Sequence, residues 1–307
     1  MNSAWKSVVE QAILNAGCSP DIRSLHTVSD GGGQAVLRVS LCSRRELFAK
    51  IVQRDSSDRL ASEFVGLKAI GDVGILAVPE VLPVYVGEQQ TVLLIEALAV
   101  VQSEVIPQSV WERFGQELAA HHEVTQGNRY GWDSSNFIGS TQQHNNWCTD
   151  WVEFNRINRL GFQLTLARER GLLSERDTKL IEQVIDQLKE LIPKAPPASL
   201  IHGDLWAGNA LPALVNGDLR IAVIDPAVSI GDGWADIAMM KLFGGFPDVV
   251  YDAYRSARHD CEFQEKRILV YQLYHWLNHL NIFGHEYLDA VVSCARACLG
   301  LKAHGGT

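Results

Sequence analysis

The spacing of apolar residues changes near residue 100, and that change limits the fold more than any other feature of the chain. Before it, IRSLHTV (22–28), QAVLRVSL (34–41) and ELFAKIV (46–52) carry strand patterning. The first two join through Asp30-Gly31-Gly32-Gly33 and the last two through Ser43-Arg44-Arg45, both turn-forming sequences. ASEFVGLKAIG then has helical spacing, with Ala61, Phe64, Val65, Leu67 and Ile70 on roughly one face and Gly71 at its end. VLPVYV and TVLLIEA complete a small antiparallel sheet with one helix packed on it. An amphipathic helix, capped by Asn2 or Ser3 and stopped at Gly17, precedes all of these.

From about Gln108 the period becomes helical, as in VWERFGQELAAHHEV, DWVEFNRINRLGFQLTLARERG and SERDTKLIEQVIDQLKELI. Helical patterning resumes after residue 226 through YRSARHD and RILVYQLYHWLNHLNIF. A long aromatic and polar connection over Thr125–Asp150 reads as lacking regular structure, and loops of that length are often functional. The expected architecture is α+β: a small sheet-bearing lobe over residues 1–98, a hinge near Glu96–Ala99 and a mainly helical lobe over 99–307. A chain of 307 residues is long enough to bury both cores.

The bulk properties exclude several classes of function. A formal charge of −9 argues against a broad nucleic-acid or anionic-membrane surface, and no apolar run reaches membrane-spanning length. The opening segment carries charges through its apolar positions, unlike a signal peptide. The six cysteines contain no C-x-x-C pair, so buried thiols in a reducing, cytoplasmic setting are expected rather than a zinc or redox site. No helix shows a sustained heptad seam, which makes a monomer the expectation.

The chemistry is concentrated in LIHGDLWAGNA (200–210) and IAVIDP (221–226). His202-Gly203-Asp204 followed by Asn209 has the spacing H-x-D-x-x-x-x-N of phosphoryl-transfer kinases. In that chemistry an Asp accepts a hydrogen bond from the attacking hydroxyl, and an Asn a few residues later reaches a metal on the phosphates. Asp225, ending an apolar run, can supply a second hard oxygen ligand to Mg2+. Read alone, these are also ordinary turn residues that bond their own backbone. Upstream partners in the matching order favour a reaction centre with ATP. Gly31, Gly32 and Gly33 form either a phosphate cradle or a hairpin turn, Lys50 lies within a strand, and Glu63 opens the next helix. The strand TVLLIEAL can offer its backbone near Glu96 and Leu98 to an adenine edge.

At HGDLWAGN the chain resembles the aminoglycoside-phosphotransferase-like kinases, which phosphorylate small molecules. Trp206 within LIHGDLWAGNA is similar to the fructosamine kinase (ketosamine-3-kinase) family. The segments RYGWDSSNFIGSTQQHNNWCTDWVEFNRINRLGFQL and IDPAVSIGDGWADIAMMKLFGGF extend the likeness across roughly residues 3 to 290. The resemblance implies a two-lobed protein-kinase-like fold, a nucleotide-binding first lobe, and ATP-dependent phosphorylation of a sugar hydroxyl on a ketosamine of fructosamine or ribulosamine type, a step in protein deglycation. By position it makes Asp204 the catalytic base, Asn209 and Asp225 the magnesium ligands, and Lys50 with Glu63 the phosphate-orienting pair. Asp236 takes a structural role at a helix start and His202 braces the loop. The run Gly231-Asp232-Gly233-Trp234-Ala235-Asp236 lacks the Arg and Glu of patterns like G-H/D-R-E-x-D, so the substrate can differ. Trp206, Asp232 and Trp234 are the candidate contacts to a small-molecule or glycated amine substrate, while Trp132, Trp147 and Trp151 read as packing. Two alternatives stand beside this one: a kinase of another hydroxylated amine (aminoglycoside, choline or homoserine type), and an inactive nucleotide-binding protein. Loss of Lys50, Asp204, Asn209 or Asp225 would favour the latter, and all four are present.

Overall fold

The computed structural model describes residues 3–101, 106–124, 127–258 and 265–301. Asn2, Thr125, Cys261 and the end of YRSARHD lie outside them. The chain packs as two compact units, Met1–Phe114 with Ala210–Pro226, and Gly115–Asn209 with Ala227–Thr307.

The first unit is built on a five-stranded antiparallel sheet. Its strands β1 (Ile22–Gly31), β2 (Gln34–Leu41), β3 (Glu46–Gln53), β4 (Tyr85–Val86) and β5 (Gln90–Glu96) lie in the order β1-β2-β3-β5-β4. Period-two alternation sorts the side chains between two helices. Leu47, Ala49 and Ile51 of β3, with Val92 and Leu94 of β5, pack against Val9, Ala12 and Ile13 of α1 (Ser3–Asn15). Val52, Leu93 and Ile95 face the other way, onto Leu60 and Leu67 of α2 (Ser57–Val73). Both faces of the sheet are therefore covered, where the sequence suggested a single helix.

The buried stripe of α2 is Leu60, Gly66, Leu67 and Ile70, whereas Ala61 and Val65 are exposed. The helix also continues past Gly71. Gly74 ends it in the left-handed conformation (φ 74°), donating its N–H to the Gly71 carbonyl at 2.9 Å. Gly17 (φ 72°) ends α1 as expected, with its N–H 2.9 Å from the Leu14 carbonyl.

A later hairpin, Ala210–Val215 with Asp218–Val223, also belongs to this unit. Its first strand pairs with Ala99–Val100, and the Val223 N–H donates to the Ala77 carbonyl at 2.8 Å. Packing thus divides the chain differently from a cut at residue 98, because backbone pairing draws a distant hairpin onto the first hundred residues.

The second unit is mainly helical. Asp150 caps the helix from Trp151 by accepting the N–H groups of Val152 (2.9 Å) and Glu153 (3.1 Å). This helix runs to Glu169 through a π-helical turn, Asn155–Gly161, that the periodicity did not reveal. Helices Glu175–Asp186, Leu188–Leu191, Trp234–Leu242, Asp248–Ala257, Glu265–Phe283 and Leu288–Cys298 complete the core. The connection expected to be irregular holds a short hairpin, Asn136–Ile138 with Thr141–Gln143, and Tyr130 bridges to Cys148 through two backbone bonds of 2.7 and 2.9 Å. Cys294 and Cys298 are buried, but Cys42 is exposed, so burial is not general among the thiols. Among the described residues no helix is long and apolar enough to cross a membrane.

Candidate active site

Lys50 reaches its partners because of strand register. On β3 it stands opposite Val36 and Leu93, on the α2 side of the sheet. Its Nζ lies 2.6 Å from Glu63 Oε1 on α2 and also donates to Asp225 Oδ1. Burial by itself would lower the Lys50 pKa, but the two carboxylates outweigh it and hold the ammonium above its ordinary value. Burial pushes Glu63 up to about 7, against the pull of Lys50 and with the help of Asp225. One ammonium shared by two carboxylates leaves the more buried one poorly compensated. Asp225 itself has a positive φ of 54°, a conformation that costs a non-glycine residue about 1–3 kcal/mol and persists only where the surroundings hold it.

A cavity of about 290 Å³ adjoins these groups within the first unit. Leu67, Ile95, Leu98 and Leu211 give it an apolar wall, and Lys50 and Asp225 add charge. Glu96 and Leu98 also line it. The Glu96 N–H is already donated to the Glu80 carbonyl (2.8 Å), and the Leu98 carbonyl accepts from Val100 (3.0 Å). Gly31, Gly32 and Gly33 take no part in the wall. Gly31 closes β1 opposite Gln34, and Gly32 (φ 60°) with Gly33 (φ 81°) forms the two-residue hairpin turn. Their backbone is that of a hairpin turn, a form that leaves the N–H groups of the glycines without side chains around them.

In the second unit, the strand Ala198–Ile201 pairs with Ser229–Asp232 and delivers the loop His202–Asn209. Buried Asp236 fixes this loop. It accepts the His202 and Gly203 N–H groups, each at 2.8 Å, and the His122 Nε2 proton at 3.1 Å. Burial alone would raise the Asp236 pKa, but His122 and the Gly203 amide hold its carboxyl below the ordinary value. With Nε2 donating, His122 Nδ1 accepts the Tyr254 hydroxyl at 3.0 Å. Gly203 has φ 82°, and a Cβ there would collide with the Ala227 carbonyl, so only glycine suits the turn.

Asp204, half-buried, donates its N–H to His202 Nδ1 at 3.3 Å. Asn209 Nδ2 donates to the Asp204 main-chain carbonyl at 2.9 Å, which leaves the amide oxygen as the acceptor end of Asn209. The Trp206 indole, 41% exposed, lies folded over Gly208, where any Cβ would strike it. Asp204, Trp206 and Asn209 are therefore gathered in one short loop.

Two expected substrate contacts are not available there. Asp232 is fully buried, accepting from Arg267 and Tyr271 and from the Trp234 N–H at 3.1 Å. Trp234 is 2% exposed and meets Tyr254 edge-on at 5.5 Å. The strand-to-helix junction that carries both is interior, so Asp232 serves an ion pair and Trp234 serves packing. Trp151 is buried against Tyr130 and Phe154, while Trp147 is 37% exposed beneath the Arg129 guanidinium. His122, Tyr254, Arg267 and Tyr271 escaped the sequence reading. The available signal was Asp232 and Asp236 themselves, two acids inside an apolar run that demand buried partners.

The sequence profile described as Fructosamine kinase matches residues 4–300. A probable ketoamine kinase of Synechocystis is 32% identical over 302 residues, covering 96% of this chain and 97% of that protein. The chloroplastic protein-ribulosamine 3-kinase of rice (Oryza sativa subsp. japonica) is 31% identical over 303 residues, covering 95% and 84%. The crystal structure of a presumed fructosamine-3-kinase from Thermobifida fusca superposes with a TM-score of 0.85 at 31% identity, covering 96% of this chain and 99% of that one. The likeness thus runs through both units and includes the two-lobed kinase architecture with its small sheet lobe and helical lobe. A profile match over nearly the whole chain, together with that full-length superposition, places the chain in the fructosamine kinase family.

Proposed function

We propose that this protein phosphorylates a sugar hydroxyl of a small ketosamine, at O3 of a fructosamine- or ribulosamine-type acceptor, with ATP as donor. The observation that carries the reading is Lys50 held between Glu63 and Asp225 beside an apolar cavity. That is the arrangement needed to orient a nucleotide's phosphates beside an adenine slot. Kinship with proteins named ketoamine and ribulosamine kinases supports the acceptor class.

Lys50 orients the α/β-phosphates and Glu63 keeps its ammonium in place. Glu96 and Leu98 border the adenine slot, and the hairpin turn of Gly31, Gly32 and Gly33, outside that slot's wall, is assigned to the phosphates because its backbone N–H groups carry no side chains around them. Asp204 accepts the hydrogen bond of the acceptor hydroxyl and takes its proton as the new P–O bond forms, while the bond from the γ-phosphorus to the β–γ bridging oxygen breaks and ADP leaves. This task needs geometry more than a raised pKa. Trp206 offers its exposed face to the sugar.

Asn209 and Asp225 supply an amide oxygen and a carboxylate, the hard donors that Mg2+ prefers. Among the described residues no group of three His, Cys, Asp or Glu is poised to hold a metal ion. Asn209 and Asp225 are each a donor suited to an ion that keeps waters and takes phosphate oxygens among its ligands. When bound, that ion would spread the charge of the transferring phosphoryl group. The test is an acceptor panel with coupled ADP detection and mass spectrometry of the products. Fructosyl-lysine and ribulosyl-lysine are compared with aminoglycosides, choline and homoserine. Phosphate on O3 of a ketosamine is expected; turnover of another hydroxylated amine with both ketosamines inert would overturn the reading.

A further inference from the structure

The second unit carries a cluster of aromatic rings that the phosphoryl-transfer machinery does not use. On the helix Glu265–Phe283, the positions of Trp276, His279 and Phe283 share one face. Phe243 and Tyr287 flank them. His279 sits at the centre, with ring centroids 5.0 Å from Phe243, 5.1 Å from Tyr287, 5.5 Å from Phe283 and 6.2 Å from Trp276. Phe243 is 43% exposed and Phe283 57%, so the cluster meets solvent instead of filling the core. Contiguous exposed aromatics of this kind mark binding surfaces.

The cluster also adjoins the catalytic loop. Phe243 leads into Gly244 and Gly245, both at positive φ (67° and 92°), and a Cβ on Gly245 would stand only 2.6 Å from the Ala207 side chain. Ala207 follows Trp206, itself 41% exposed. His279 adds a polar element. Its Nδ1 lies 2.9 Å from the His275 carbonyl, which only accepts, so Nδ1 carries the proton and Nε2 is left as an acceptor. Burial lowers the pKa of this imidazole, which favours the neutral ring. Ring faces and a neutral nitrogen acceptor together suit an ammonium group, and they repel nothing that is cationic.

We infer that Phe243, Trp276, Phe283 and Tyr287, gathered around His279, form a subsite for the alkyl arm of the acceptor and the ammonium at the far end of that arm. This inference rests on the proposed ketosamine activity and names what distinguishes one ketosamine from another. The sugar end is presented to Asp204, and the arm departs past Ala207 over the rings.

The experiment compares two acceptors that share one ketose and its secondary ammonium: fructosyl-lysine, whose four-carbon arm ends in a second ammonium beside a carboxylate, and fructosyl-glycine, whose single methylene ends in a carboxylate alone. Kinetics are measured for wild type, Phe283→Ser and His279→Leu. Phe283 is exposed enough for its variant to keep the fold. For fructosyl-lysine, KM is expected to rise about tenfold in each variant, with kcat and the KM for ATP little changed. For fructosyl-glycine, KM should shift less than twofold. Equal effects on both acceptors, or none in Phe283→Ser, would overturn the subsite while leaving the ketosamine activity standing. A wild-type protein that turns over neither acceptor would remove the proposed activity and the subsite together.

Discussion

Asp204 and Asp232 are both acids that the sequence offered as site residues, and their surroundings give them opposite tasks. Asp204 is half-buried in a loop whose backbone is pinned on either side. Its replacement by Asn keeps the shape and removes the proton acceptor. Asp204→Asn should lower kcat by about two to four orders of magnitude while ATP binding, read by calorimetry, changes little. Unchanged turnover would dismiss Asp204 as the base. Asp232 is a buried partner of Arg267, and Asp232→Ala would strand a cation in the interior at a cost of roughly 3–5 kcal/mol. Urea melts should show that loss, and Asp232→Ala combined with Arg267→Met should recover part of it. A purely substrate-binding Asp232 would instead leave stability untouched.

At the scale of elements, the loop His202–Asn209 depends on a strand pair and a helix start. The strand sets its origin, and Asp236 in the first turn of Trp234–Leu242 collects two of its N–H groups. Gly203 is the point where this leaves no freedom. Gly203→Ala combines positive φ with a backbone collision, and we expect roughly 2–4 kcal/mol of lost stability together with a fall in kcat. Thermal melts and the ADP-coupled assay on the same preparation check both, and a variant matching wild type in each would contradict the account. The spacing H-x-D-x-x-x-x-N was legible because the loop is local. The partners of Asp236 were not, since His122 is 114 positions away in sequence.

For the molecule as a whole, buried histidines set the acid limit. Burial lowers His121 to about 4 and His275 to about 3, both from an ordinary 6.5. The unfolded chain therefore binds more protons than the folded one between pH 6.5 and those values. Their contribution to stability is fully present above pH 6.5 and is lost as pH falls toward 4 and then 3. For His121 the whole window is worth roughly 3 kcal/mol. Denaturant unfolding from pH 7.5 down to 4.5 should steepen below 6.5, and His121→Leu should flatten that limb. A His121→Leu profile parallel to wild type would show that this histidine does not set it.

Period and spacing are local quantities, and they sufficed for the three long strands, the α+β class and the chain positions of Lys50, Glu63, Asp204, Asn209 and Asp225. HGDLWAGN, with the segments on either side, carried the family as well. Other properties depend on contacts between residues far apart in the chain. Only tertiary packing put Asp225 with Lys50 in the first unit, since the hairpin Ala210–Val223 pairs back to Ala99–Val100. Packing alone closed Asp232 and Trp234 away from solvent and placed α1 and α2 on opposite faces of one sheet. An isolated stretch cannot express these outcomes, because burial and charge compensation belong to pairs of residues and the chain brings those pairs together only when it folds.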